Sequence, residues 1–511
     1  MTDRSGPSSD AAAKERAVLA IRKLQAEVEG LRERSAEPIA IVGAGCRLPG
    51  GVGDPDAFWR LLAEGTDAVG DVPGDRWDSA ALHDPDPDAP GKIVTRRGAF
   101  LDGIDRFDAA FFGIARAEAE AMDPQQRVLL EVAWEALERA GLPAERLAGT
   151  RTGVFVGAYA SGYEDLDPDA PNLGPHAAAG SALSIIANRL SYVLDLRGPS
   201  VSIDTACSSS LVAIHLACQS LRARESDLVL AGGVHLILSP KVSIALSRMG
   251  ALSPDGRTKA FDARANGFVR GEGCVLVVLK RLSDARADRD PVLAVVRSTA
   301  VNQDGRSNGL TAPSAISQRR VLEEALERAQ VPASAIAFVE AHGTGTRLGD
   351  PIEMEALRAV YGPPGGPSCA VGAVKTNLGH LEAAAGATGF LKTALAVSRG
   401  LVPPNLHFQR LNPDISLAGT RIVLPARTIP WPSGDGPRRA AISSFGFGGV
   451  NAHAILEQAP DAEASPADDG RLHLLPLSAR SPGALVELVR RVRDGLEGAT
   501  VRNVCYTASA P

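Results

Sequence analysis

The 511-residue sequence has no paired cysteines: Cys46, Cys207, Cys218, Cys274, Cys369 and Cys505 are scattered, with no CxxC spacing. A disulfide framework and a thiolate metal site are therefore not written here, and reduced thiols in a cytoplasmic protein are expected. Positive charge is not in excess either. Lys and Arg number 54 against 60 Asp and Glu, leaving a net charge of -6, so no basic face is predicted for nucleic acid or an anionic membrane. No apolar run approaches the roughly 18 residues of a membrane-crossing helix. The first ten residues are polar with no apolar stretch behind them, unlike a signal peptide. What remains is ordinary for a globular chain: 45% hydrophobic and 22% charged residues. The length allows about three or four average domains, or one large core with appendages.

Residues 11 to 34 are charged and helix-forming. Ala17, Ile21, Leu24, Val28 and Leu31 fall at alternating four- and three-residue spacings, an a/d seam. At about two to three heptads the seam is too short to be stable alone but suits an appendage on a dimer. After Pro38, Ile39 to Gly43 begins a buried strand. Gly43 to Gly50 superficially resembles a dinucleotide loop, but GxGxxG is not matched and Pro49 interrupts the helix that should follow. Tight turning is the expected role of these glycines. A helix is predicted from Met122 to Gly141, and a surface loop over 160–178. Buried strands are predicted at Val154–Gly157, 227–233, 274–279, 292–296 and 336–340. A strand, a small-residue loop and a helix occur near 204 and again near 340, which predicts two similar α/β halves. Residues 459–470 read as a linker, with a strand over 472–477 and a helix over 482–496 beyond it.

Three constellations carry candidate chemistry. Cys207, His342 and Asn377 follow the chain order of a papain-like protease, but the local signature around such a cysteine is absent. Gly305-Arg306-Ser307-Asn308-Gly309 matches G-x-S-x-G, yet Thr311-Ala312-Pro313 stands where the elbow's helix should start, so a polar surface turn is expected. The third sets Cys207 beside His342, His380 and Lys375. Cys207 follows a strand ending at Ile203 and precedes an apolar, helix-length run, which places its sulfur at a helix N-terminus. Such a site favours thiolate and can cradle an oxyanion. Both histidines sit in glycine-rich loops. Ser444 to His453 adds four glycine or small positions around Phe445 and Phe447, suited to an N–H donor beside an apolar pocket.

DTACSSS at 204–210, EAHGTGT at 340–346, KTNLGH at 375–380 and SFGFGGVNAH at 444–453 together resemble a β-ketoacyl synthase. More narrowly, they resemble the ketosynthase domain of a modular type I polyketide synthase. The resemblance runs in order from about residue 37 to 460, with EPIAIVG at 37–43 and the segments 122–141 and 250–273 in support. It implies a thiolase fold, with duplicated halves in a five-layered αβαβα body, acting as a homodimer. It implies decarboxylative Claisen condensation that lengthens a polyketide by two carbons. Cys207 is then the acyl-bearing nucleophile, with His342 and His380 as donors to the enolate oxygen and Lys375 orienting them. Backbone N–H groups of Cys207 and Phe447 form an oxyanion hole, and Thr344 and Thr346 contact pantetheine. No metal or bound cofactor is implied; the phosphopantetheine belongs to acyl carrier proteins, upstream and of the same module. Residues 1–36 resemble a coiled coil that docks on an upstream synthase subunit, and 461–511 the start of a ketosynthase-to-acyltransferase linker. The acyltransferase would act in cis or in trans, and the chain would be part of a longer polypeptide. The rival reading is a non-elongating thiolase-fold scaffold or transacylase that positions carrier-bound chains.

Overall fold

A computed structural model describes residues 9–166, 174–432, 434, 436–461, 471–496 and 500–509. The centre of the predicted 160–178 loop and most of the 459–470 linker lie outside these residues. Eleven strands form one sheet: β1 (Ile39–Arg47), β2 (Thr152–Gly157), β3 (Ser200–Ile203), β4 (Leu228–His235), β5 (Gly273–Arg281), β6 (Ala294–Gln303), β7 (Phe338–Glu340), β8 (Cys369–Gly372), β9 (Ile422–Val423), β10 (Arg439–Phe445) and β11 (Val450–Gln458). The order is β9-β8-β7-β10-β11-β6-β1-β5-β4-β2-β3.

This order contains the same arrangement twice. β3-β2-β4-β5-β1 is the third, second, fourth, fifth and first strand of one half; β8-β7-β10-β11-β6 repeats that permutation in the other. Directions repeat too. β2 is parallel to β3 and β4, and β7 is parallel to β8 and β10. The remaining pairs within these two five-strand sets are antiparallel, and β9 adds a parallel edge beside β8. Antiparallel pairing of Ile39–Ile41 with Ala294–Val296 joins the halves. The predicted duplication is present, but its equivalence is shifted. The turn at 204 follows the third strand of its half, whereas the loop at 340 follows only the second. The counterpart of 204 is the segment after β8. The longer connection there, carrying KTNLGH, obscures the likeness in sequence.

The strands bury both faces. In β5, Val275, Val277 and Leu279 enter one core with the helices Ser209–Arg222 and Ala385–Arg399. Cys274, Leu276 and Val278 enter another with the helices Pro124–Arg139 and Leu183–Val193. The second half covers its outer face with the helices Ala315–Ala329 and Gly349–Tyr361. Helices, half-sheet, central helices, half-sheet and helices make five αβαβα layers.

Gly43 and Gly45 do not form a turn as expected; they lie inside β1. A Cβ at Gly43 would stand 2.5 Å from the Ala136 carbonyl oxygen and 2.7 Å from the Ala140 Cβ, so the glycine admits the helix Pro124–Arg139 against the strand. Gly43→Val should destabilise the protein by about 3 kcal/mol. An unchanged urea midpoint would contradict this account.

The terminal segments stand apart from these cores. The helix Ser9–Ser35 leaves Val18, Leu19, Ile21 and Leu24 exposed. Residues 471–479 are irregular where a strand is expected, and among the described residues no strand pairs with them. The predicted helix beyond spans Pro482–Asp494. The Arg480 guanidinium stacks 4.4 Å from the Phe111 ring centroid and donates to the Phe111 carbonyl at 2.5 Å, fixing the start of this segment to the body. No described helix is long and apolar enough to cross a membrane.

Candidate active site

Cys207 sits in the turn between β3 and the helix Ser209–Arg222. The turn is tight: Ala206 has φ +57°, and the Asp204 carboxylate accepts its N–H at 2.9 Å. Ser209 Oγ donates to the Ala206 carbonyl at 2.6 Å and accepts the Thr205 N–H at 2.9 Å. Ser208 Oγ donates to the Thr205 carbonyl at 2.9 Å, so two of the three serines after Cys207 stitch the turn to the first helical residues, while Ser210 Oγ accepts the Ala387 N–H at 2.9 Å. Cys207 is the one cysteine of the six that is not fully buried. Its own N–H and that of Phe447 are directed at the sulfur. The helix-start argument predicts a lowered thiol pKa, but burial raises it. Lys375 and the two N–H groups oppose the shift only in part.

Phe447 lies in the tip joining β10 to β11, closed by Gly446 N–H to Val450 O and Gly449 N–H to Gly446 O, each at 2.8 Å. A Cβ at Gly446 would collide with the Thr205 carbonyl oxygen, so this position lets the tip lie against the Cys207 turn. Ser444 Oγ donates to the Cys207 carbonyl at 2.8 Å, and the Phe445 N–H points at His342 Nδ1 from 3.4 Å. One hairpin thus reaches both Cys207 and His342. The two phenylalanines do different things: Phe445 is buried against His342, while Phe447 is exposed.

His342 and His380 come from different loops and meet edge to face, with ring centroids 5.6 Å apart. Each has its Nδ1 facing a backbone donor, the Phe445 N–H for His342 and the Glu382 N–H, at 3.0 Å, for His380. Burial, reinforced by the nearby Lys375, holds both imidazoles well below the ordinary histidine range, so both are neutral at pH 7. A neutral ring whose Nδ1 accepts carries its proton on Nε2. Nε2 of His380 is buried without a protein partner. The pair is a set of two Nε2–H donors held without positive charge.

Lys375 donates from Nζ to the His342 carbonyl at 2.5 Å. Burial pulls its ammonium below the usual lysine range, against the opposing pull of Glu340 and Glu353. Thr344 and Thr346 are half-buried on the His342 loop, their hydroxyls 3.1 Å apart. Asn377 is not with the others. Its amide donates to the Thr66 carbonyl at 3.0 Å, which removes the protease constellation. Ser307 lies in a polar surface turn, as expected, bonded to its own loop at Gly309.

Sequence reasoning missed the buried carboxylates beneath the histidines. Glu353 accepts the N–H groups of His342 at 2.7 Å and Gly343 at 2.8 Å, and burial pushes it up to about 7. Asp350 accepts from Gly345 at 2.9 Å and Phe261 at 2.6 Å, and burial likewise pushes it up to about 7. Glu340 accepts the Val374 N–H at 2.6 Å and lies 2.6 Å from the fully buried Lys392 ammonium. A signal existed: Asp350 and Glu353 share the apolar stripe of Met354, Leu357 and Tyr361, where a carboxylate needs a reason.

Comparison with known proteins agrees with this geometry. Sequence models of the β-ketoacyl synthase N-terminal domain, C-terminal domain and ketoacyl-synthetase C-terminal extension match residues 36–285, 293–409 and 412–510. The chain is 54% identical over 483 residues to a phenolphthiocerol/phthiocerol polyketide synthase of Mycobacterium tuberculosis, covering 93% of this chain and 31% of that protein. It is 57% identical over 442 residues to a second phenolphthiocerol/phthiocerol polyketide synthase polypeptide, from Mycobacterium bovis, covering 84% of this chain and 24% of that one. The chain thus spans a third or less of these relatives. The oxazolomycin ketosynthase domain of Streptomyces albus JA3453 superposes with a TM-score of 0.87 at 40% identity, over 93% of this chain and 84% of that one. A ketosynthase from module 6 of the bacillaene synthase of Bacillus subtilis 168 gives 0.83 at 38% identity, over 93% and 80%. With its duplicated five-layer body and matched domains, the chain belongs to the β-ketoacyl synthase family, as a ketosynthase of the polyketide synthase type.

Proposed function

We propose that this chain condenses a Cys207-bound acyl group with a malonyl-type extender held on an acyl carrier protein. The observation that carries this reading is the pair of neutral Nε2–H imidazoles beside a half-buried cysteine whose sulfur faces two backbone N–H groups. Cys207 attacks the incoming acyl thioester and releases the carrier thiol. The extender's carboxyl carbon then departs as CO2, and the bonding pair moves onto the thioester as an enolate. His342 and His380 donate to that oxygen as its charge grows, which is where preorganised donors accelerate a reaction. The enolate carbon attacks the Cys207 thioester, whose oxyanion meets the N–H groups of Cys207 and Phe447. Collapse expels the Cys207 thiolate and leaves a β-ketoacyl chain on the carrier. Lys375 holds the His342 loop through its carbonyl and adds positive potential near the sulfur. Thr344 and Thr346, with hydroxyls on the His342 loop, contact the phosphopantetheine arm. Mass spectrometry of the intact protein with an acyl thioester and malonyl-carrier tests the reading. A Cys207 adduct, CO2 and β-ketoacyl-carrier are expected; an adduct without CO2 would favour a transacylase or scaffold.

The partners follow from the same reading: carriers upstream and in the same module, an acyltransferase in cis or in trans, and a second copy of this chain. β3 ends the sheet with Val201 exposed, beside an open cavity of about 230 Å³ that includes Leu183, Ser184 and Ile203. An edge of this kind pairs with its own copy across a two-fold axis. Residues 1–36 form a docking segment, the ketosynthase occupies 37–460, and 461–511 begin the linker. Deleting residues 1–34 should preserve dimer mass in sedimentation and condensation from a diffusible thioester, because a seam of about two to three heptads cannot supply an obligate interface. Transfer from an upstream carrier should weaken. A monomeric truncated protein would show that the seam holds the dimer.

A further inference from the structure

We propose that Arg270 and Glu382 form a positioning pair that fixes the tautomer and aim of His380, on the basis of the condensing role given above. Three connections converge on this histidine. Its main chain is bracketed by the strand-like segment of Arg270, with the His380 N–H on Val269 O at 2.6 Å and the Gly271 N–H on His380 O at 2.8 Å. Its Nδ1 accepts the Glu382 N–H at 3.0 Å. The Glu382 carboxylate is gripped by the Arg270 fork, through Nε to Oε1 and Nη2 to Oε2, the latter at 2.9 Å. Arg270 is itself anchored by Nη1 on Ser243 Oγ at 2.8 Å, and His235 Nε2 lies 3.2 Å from Glu382.

The backbone explains why a grip is needed. Glu382 has φ +46°, a left-handed conformation that a residue with a side chain rarely adopts. In that conformation its N–H faces the His380 ring two residues earlier. Both side chains are almost fully buried, Arg270 at 6% and Glu382 at 3% exposure, so the fork is shielded from water. Releasing it frees the backbone to relax and removes the donor from Nδ1. The imidazole proton is then free to shift from Nε2 to Nδ1, leaving an acceptor where a donor should face the enolate oxygen. Arg270 and Glu382 act through His380 and touch no reacting atom.

The test uses the full chain with two readouts: acyl loading of Cys207 from a small acyl thioester, and CO2 release from the malonyl thioester of N-acetylcysteamine. Arg270→Lys, which keeps the charge but loses the fork, and Glu382→Ala should each slow CO2 release by about 100-fold. Loading should stay within about threefold of the parent, since the sulfur and its N–H donors are untouched. Glu382→Gln should retain most of the CO2 release. Glu382→Gly, free to adopt the left-handed backbone, should exceed Glu382→Ala. The proposal is overturned by parental CO2 release in both Arg270→Lys and Glu382→Ala, or by equal loss of loading and CO2 release. It is also overturned by a Gly variant no better than the Ala variant. Should Glu382→Ala not fold, Arg270→Lys against Glu382→Gln decides. Absence of CO2 release from the parent itself would instead count against the condensing role.

Discussion

Cys207→Ala should yield protein that takes up no acyl group and makes no β-ketoacyl product, with its melting temperature nearly unchanged. Removing one half-buried sulfur costs on the order of 1 kcal/mol, and the helix Ser209–Arg222 keeps its own packing in the central layer. No other thiol can stand in. Cys46, Cys218, Cys274, Cys369 and Cys505 are all buried. Burial pushes Cys218 up to about 11 and Cys369 up to about 12, and raises Cys46 and Cys274 as well. In the parent, the raised thiol pKa of Cys207 gives the reaction a direction in pH. At neutral pH the sulfur is mostly protonated, so loading from a small thioester should speed up as pH rises above 7. Product at the parental rate from Cys207→Ala, or an adduct mapped to another residue, would remove Cys207 from the role. Loading that slows as pH rises would contradict the protonated resting thiol.

Cys207 and both histidines stand out in the sequence as candidates because each lies in a short run with its own local grammar, and the structure brings their loops together. A strand end, three serines and an apolar helix mark Cys207; glycines mark the histidine loops. Helical cover on both faces of the sheet was legible for a related reason, since apolar runs such as Cys274–Leu279 have no polar face; the five-layer arrangement itself followed only from the family resemblance. The errors arose where a residue's reason lies far along the chain. Gly43 looks like a turn until the helix that needs its space, some ninety residues later, is brought against it. Arg270 and Glu382 are separated by 112 positions, and neither periodicity nor spacing announces their fork. The direction of the Cys207 shift was misjudged for the opposite reason: the helix start is local and visible, while the burial that outweighs it belongs to the assembled site. Residues 472–477 have strand composition but, among the described residues, no strand beside them, and composition alone does not make a ladder.

His342→Ala and His380→Ala should separate the two halves of the reaction. On the proposed mechanism, loading needs the thiol and the N–H groups of Cys207 and Phe447, none of which either imidazole supplies. It should persist within about threefold in both variants, whereas CO2 release should fall by about 100- to 1,000-fold for each. The basis is the protonation state. Both rings are neutral, with Nδ1 facing a backbone N–H, so each offers one Nε2–H and no general base on the exposed side. On the proposed mechanism their contribution is confined to the oxygen that gains charge as CO2 leaves. The double variant should lose far less than the product of the single losses, because one remaining donor cannot hold the enolate as the pair does. The losses should not be equal for loading. His342 also packs on Phe445, at 5.7 Å between ring centroids, and Phe445 belongs to the hairpin that carries the Phe447 donor. His342→Ala should therefore slow loading somewhat more than His380→Ala. Intact-protein mass spectra after a fixed exposure to acyl thioester, set beside CO2 release on the same samples, measure both quantities. A His380 variant blocked at loading but releasing CO2 at the parental rate would reverse the assignment of donors to steps.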